Sequence, residues 1–189
     1  MNDILFYWSA WICWIWATWV MDKSKNQARI ATFSLVAIIC SNYAFSIAGY
    51  TVNVAVIFFL LLSVSFVIKK QLAKQIYYIF IGVETALGYA AIHLLTIFDP
   101  VLFILPLNIM TTIFLLIITG IFASQINDKL FIIFFSATVG EIIIGMIFGK
   151  LHLHHEIGMS GYLTRMALPF MIIALLSTLK TMGMKNKFV

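Results

Sequence analysis

The chain has 189 residues, of which 63% are hydrophobic and only 10% charged, and its mean hydropathy is +1.06. That leaves too little polar surface to cover a water-soluble globule of this size, so the composition is that of an integral membrane protein. The net charge of +5 comes from basic residues scattered between apolar runs, which excludes the concentrated basic stripe of a nucleic-acid-binding protein.

A hydrocarbon core of about 30 Å takes roughly 20 apolar residues of helix. Seven runs meet or approach that length, at 4–21, 30–47, 54–68, 76–97, 101–122, 130–148 and 166–182, and together they predict an all-α polytopic bundle forming a single domain over 1–189. The first run has Asp3 before it, lysines after it and no small-x-small cleavage site, so it reads as a retained span rather than a secretory signal. Its tryptophans, at 8, 11, 14, 16 and 19, occupy several helix faces; Trp8 and Trp19 suit the two lipid interfaces. Cys13 and Cys40 lie in apolar segments without CxxC spacing and read as buried thiols rather than a disulfide or zinc framework. Runs two and three flank GYTVN at 49–53, either a true turn or the break of a shallow hairpin; if neither crosses, five spans remain.

Lys and Arg are retained on the cytoplasmic side during insertion. Lys23, Lys25, Arg29, Lys69, Lys70, Lys74, Lys129, Lys180, Lys185 and Lys187 fall on one side of a seven-span arrangement, and Lys150 and Arg165 on the other. The expected topology is therefore N-terminus outside and C-terminus in the cytoplasm of a bacterial cell membrane, with the connection at 149–165 outside.

Two carboxylates fall near the middle of predicted spans: Glu84 in the fourth and Glu141 in the sixth. A charge at that depth is costly unless paired, hydrated or protonated. Each precedes a glycine by four residues, Gly88 and Gly145, on the same helix face. Their predicted depths differ by roughly 7 Å, compatible with a common pocket. The predicted apolar interiors contain no Lys or Arg, so no ion-pair partner is expected for either. His93, the other titratable candidate at depth, is half a turn round the helix from Glu84. Two readings stay open: neutral glutamic acids bonding to backbone carbonyls, or carboxylates working on a proton or cation. Asn42 with Ser41 and Ser46, and Asn108 with Pro106, either line a cavity or bond across helices. Gly145 and Gly149 form a small-xxx-small face expected to seat a neighbouring helix of the chain.

Past the sixth span, His152, His154, His155 and Glu156 carry the ligand types of a divalent transition metal. As a helix the segment would place His152, His155 and Glu156 on one face; extended, it would place His152 and His154 together. No HExxH accompanies them, which leaves a hydrolytic zinc centre unsupported; lipid headgroup contact and pH sensing are the other uses of such histidines. No other cofactor is expected.

The aromatic first span FYWSAWICWIWATWVM, the VN at 52–53, FDPV at 98–101 and the GE at 140–141 resemble the YphA-type family of small polytopic membrane proteins of spore-forming Firmicutes, over nearly the whole chain. The resemblance implies a link with spore-envelope assembly and no catalytic residues. The leading expectation is a non-enzymatic membrane protein acting through helix contacts in envelope assembly, its partners the bilayer and other envelope membrane proteins. The alternative is a small transport or solute-binding subunit with Glu84 and Glu141 lining its pocket. An intramembrane lipid enzyme comes third, for want of Ser/His pairing, a phosphate-cradling glycine loop or aspartate clusters.

Overall fold

The computed structural model describes residues 3–21, 23–47, 49–99, 105–151, 156–158 and 161–185, with 179–185 as backbone alone. Seven helices follow in chain order: α1 (Ile4–Trp19), α2 (Lys25–Ser41), α3 (Val54–Val67), α4 (Leu72–Phe98), α5 (Leu107–Phe122), α6 (Ile126–Lys150) and α7 (Tyr162–Lys185). Between α2 and α3 lies a two-stranded antiparallel hairpin, β1 (Ala44–Ile47) and β2 (Tyr50–Asn53). The helical class is therefore as expected, with the hairpin added to it. By length and hydropathy α4 and α6 are each sufficient to cross a membrane, whereas α3, α5 and Tyr162–Thr178 of α7 are shorter apolar helices.

Predicted run two continued to residue 47, but α2 stops at Ser41. The break at 42–53 is a hairpin turning through Gly49, at φ +85°, a backbone region that glycine enters without a Cβ penalty. Asn53 makes the break definite. Buried at 2% exposure, its side chain donates to the Ser41 carbonyl at 2.9 Å and accepts from the Ala55 N–H at 2.8 Å. One residue thus ties the end of α2 to the start of α3 and caps α3, satisfying an otherwise orphaned N–H. Ser41 and Asn42 bond across helices, Ser41 Oγ donating to the Tyr7 hydroxyl at 3.2 Å and that hydroxyl to Asn42 Oδ1 at 3.4 Å.

Helix α6 is the hub. It packs on α3, α4, α5 and α7 and buries residues all round, from Asp128 to Phe148, as a helix at the centre of a bundle must. Its seam with α4 depends on small residues: a side chain at Gly140 would strike the Tyr89 ring, and one at Gly82 the Phe135 ring. Gly88, expected to open space beside Glu84, instead receives the Phe114 ring of α5.

Gly145 and Gly149 do not seat a helix. Ile157 fills the space over Gly145 and Tyr50 of the hairpin that over Gly149. Ile157 also joins the hairpin edge, its N–H donating to the Thr51 carbonyl at 2.8 Å and its carbonyl accepting from Asn53 N–H at 2.9 Å. The glycines leave room for side chains carried by non-helical segments, and the backbone groups of Ile157 are satisfied by the hairpin edge.

Helices α6 and α7 run antiparallel with Thr138 beside Tyr162, Glu141 beside Arg165 and Phe134 beside Phe170. Helix α6 continues nine residues past Glu141 to Lys150, whereas α7 begins only three residues before Arg165. At 1.5 Å per residue the start of α7 lies roughly 9 Å below the end of α6, and Ile157, between them in sequence, packs over Gly145.

Candidate functional site: a buried Arg–Glu–Tyr cluster

Helix α7 begins within the bundle and places Arg165 there. The sequence reading ended the apolar interior at residue 166 and left Arg165 outside; the helix starts at Tyr162, and Arg165 is 3% exposed. Its Nη2 donates to Glu141 Oε2 at 3.2 Å and its Nε to the Tyr89 hydroxyl at 2.7 Å. That hydroxyl lies 3.5 Å from the same Glu141 oxygen, closing a triangle of α4, α6 and α7 side chains. Tyr89 and Glu141 are fully buried. The expectation that Glu141 lacks a basic partner is thus overturned: it sits in an ion pair, which lets a carboxylate remain charged away from water. A second bond, 2.8 Å between Thr138 and Tyr162, fixes the first turn of α7 against α6.

Neighbouring groups complete the surroundings. Asn108, near the start of α5, and Arg165 Nη1 both flank Gly161, at 3.8 and 3.4 Å from where its Cβ would stand. Gly161 is at φ +93°, so a side chain there is strained by the backbone although there is room for a Cβ. Pro169 has no N–H to give the Arg165 carbonyl, which loosens α7 one turn below the cluster. His93 is buried on the same face of α4 as Tyr89, one turn nearer the helix end.

Glu84 is elsewhere. It lies in the middle of α4 and is exposed, about 140° round the helix from Tyr89. Among the described residues no hydrogen bond or ion pair reaches it. The two glutamates therefore do not line a common pocket: one is sealed in the bundle and the other faces outward. His152, His154 and His155 lie outside the described residues, and Glu156 is exposed. Among the described residues no group of three or more His, Cys, Asp or Glu side chains is placed to hold a metal. Cys13 and Cys40 are free and half-buried rather than buried. Trp8 and Trp19 are the most exposed of the tryptophans on α1, at 65% and 82%.

A second cluster, not foreseen from the sequence, lies at the opposite end of the bundle from the hairpin. Asp128 in the first turn of α6 is 2% exposed. It accepts from Lys70, in the α3–α4 turn, and from the Tyr78 hydroxyl at 2.6 Å. Lys70 Nζ also stands 4.9 Å from the Tyr78 ring centroid. The available signal was weak: Asp128 and Lys70 border predicted spans on the same side, and Tyr78 sits two turns above the start of α4.

Neither cluster supplies an activated nucleophile, and each holds helices together by closed charge pairing. A long apolar α6 and α4, three further helices packed on them, and ion pairs sequestered between them are the features of a helical protein of the integral-membrane class. The chain belongs to the YphA-like integral membrane protein family, which it matches over residues 2–187. It is similar to the protein YphA of Bacillus subtilis (strain 168), with 22% identity over 151 residues, covering 80% of this chain and 75% of that one. No solved structure matches it.

Proposed function

We propose that the chain is a non-enzymatic cell-membrane protein, one helical domain crossing seven times with its N-terminus outside, which acts through helix contacts in assembly of the envelope, including that of the spore. The observation that carries this reading is the division of its mid-helix acids. Glu141 is consumed inside the bundle by Arg165 and Tyr89, while Glu84 is presented on the outer surface of α4, where lipid cannot solvate it and another membrane helix can. A transport subunit would need its acids on a common solvated path. The burial of Arg165 also supports the orientation, because it leaves Lys150 as the one basic residue on the hairpin side of the proposed topology.

The test is replacement of the chromosomal copy by Glu84→Leu, with membrane level and topology followed alongside envelope resistance to lysozyme and heat. The expected result is normal insertion with impaired resistance. Full resistance together with altered uptake of a small solute would overturn the assembly reading. A cysteine at Glu156 should react with an impermeant thiol reagent from outside, and a reporter after Val189 should be cytoplasmic; the reverse would overturn the orientation.

A further inference from the structure

The outward face of α4 carries a regular stripe. Ala73, Tyr77, Phe80, Glu84, Leu87 and Ala91 recur at alternating spacings of four and three residues and are all exposed. The next position, Leu94, is half-buried against the core, and Phe98 beyond it is 68% exposed. The alternating spacing is the a/d pattern of a left-handed helix–helix seam. The seam by which α4 packs on α6, through Tyr78, Ile81, Thr85, Tyr89 and His93, lies on the other side of the helix. The stripe is thus a second seam, unoccupied by any described element of the chain, with its single carboxyl at a central a position.

We propose that this stripe is the contact between two copies of the chain, related by a two-fold axis along the membrane normal, with the two Glu84 carboxyls paired across it. The proposal rests on the helix-contact reading above and names its partner. Three features favour a second copy. A two-fold seam brings each a residue opposite itself, so Glu84 meets Glu84 at equal depth by symmetry. A protonated carboxyl carries both a donor and an acceptor, which makes it complementary to its own copy without any basic group. Finally, the stripe holds no Lys or Arg between Lys74 and the end of α4, so nothing on it repels or misaligns an identical helix. Ala91 lets the two backbones approach on the hairpin side of the acid, while Tyr77 and Phe80 fill the other side. One polar residue among apolar ones fixes register, as a buried polar a residue does in a coiled coil.

The experiment is disulfide trapping of the full chain in native membranes, with Cys13 and Cys40 first changed to Ser. A cysteine at Leu87 or Ala91 is expected to give a covalent dimer of the chain, and one at Ile79 or Ile97, flanking the stripe, at least tenfold less. A tagged Glu84→Lys copy is expected to capture untagged wild type but not untagged Glu84→Lys, since two lysines repel where Lys and Glu attract. Glu84→Gln, which retains donor and acceptor, should trap normally. Equal trapping at all four positions, or capture of Glu84→Lys by itself, would overturn the two-fold contact. Trapping at Leu87 of a different membrane protein in place of a second copy would overturn it too, while leaving the assembly reading standing. No trapping of any protein at any position would overturn both.

Discussion

At its two ends the bundle joins the same three residue types, a base, an acid and a tyrosine, with opposite consequences. In both, the tyrosine comes from α4 and the acid from α6: Tyr78 with Asp128 at one end, Tyr89 with Glu141 toward the other. The base differs in origin. Lys70 reaches in from a turn and keeps 19% of its side chain exposed, whereas Arg165 stands in α7 with 4%. Asp128 is also helped by the N-terminus of its own helix, whose unpaired N–H groups favour negative charge. A lysine at the membrane edge can extend its ammonium to water if the pair breaks. An arginine in the bundle has no such exit, so the Glu141 cluster is the one on which the packing of α7 depends.

The sharpest way to break this comparison is to remove each base. Arg165→Leu leaves Glu141 buried and uncompensated, and its expected cost is about 3–5 kcal/mol, enough to release α7. Lys70→Met leaves Asp128 buried but still bonded by the Tyr78 hydroxyl and favoured by the N-terminus of its own helix, and the expected loss is smaller, about 1–3 kcal/mol. Denaturant unfolding in mixed micelles would give both values. Adding Glu141→Leu to Arg165→Leu should recover more than half of the larger loss, because a neutral apolar pair needs no solvation. A double variant no better than the single would mean that Arg165 acts through packing rather than charge.

These clusters also show what a single sequence exposes. The helical class, the span-like length of α4 and α6 and the break near 49–53 follow from hydropathy and turn residues, whose signals are local. The pairing of Glu141 with Arg165 does not. Counted from the nearest helix ends the two lie at different depths, and they meet because α7 begins well below the end of α6. Ile157 pairs there with the hairpin edge, a segment about a hundred residues away in sequence, while Gly145 makes room for its side chain. The glycine spacing was visible, but its user was a strand rather than a helix. Glu84 and Glu141 look alike in sequence because each is a lone acid in an apolar run; which face each takes depends on what the rest of the bundle covers.

A smaller difference is expected from the tyrosines. Tyr78 donates to a carboxylate that Lys70 still reaches, and Tyr78→Phe should cost about 1.5 kcal/mol, the lower end of the range for a hydrogen bond to a charged group. Tyr89 accepts from Arg165 Nε and lies beside Glu141, so Tyr89→Phe removes an acceptor that a buried guanidinium has no water to replace. The expected loss is about 2–3 kcal/mol. Equal losses at the two ends would show that water reaches Arg165.

Ionic strength gives the smallest effect and tests exposure directly. Salt screens charges that face solvent over a Debye length of about 8 Å at physiological strength and about 3 Å at 1 M, and acts far less on pairs enclosed by protein. Lys70 retains a solvent-facing side, so the stability difference between wild type and Lys70→Met should shrink by a few tenths of a kcal/mol between low salt and 1 M salt. The difference between wild type and Arg165→Leu should stay constant over the same range, because Arg165 and Glu141 present almost no surface to the electrolyte. Measuring both against the same wild-type titration cancels any general effect of salt on the micelle. If the Arg165 difference also falls, ions enter from the hairpin end, and the packing of Ile157 on the hairpin edge does not seal the cluster.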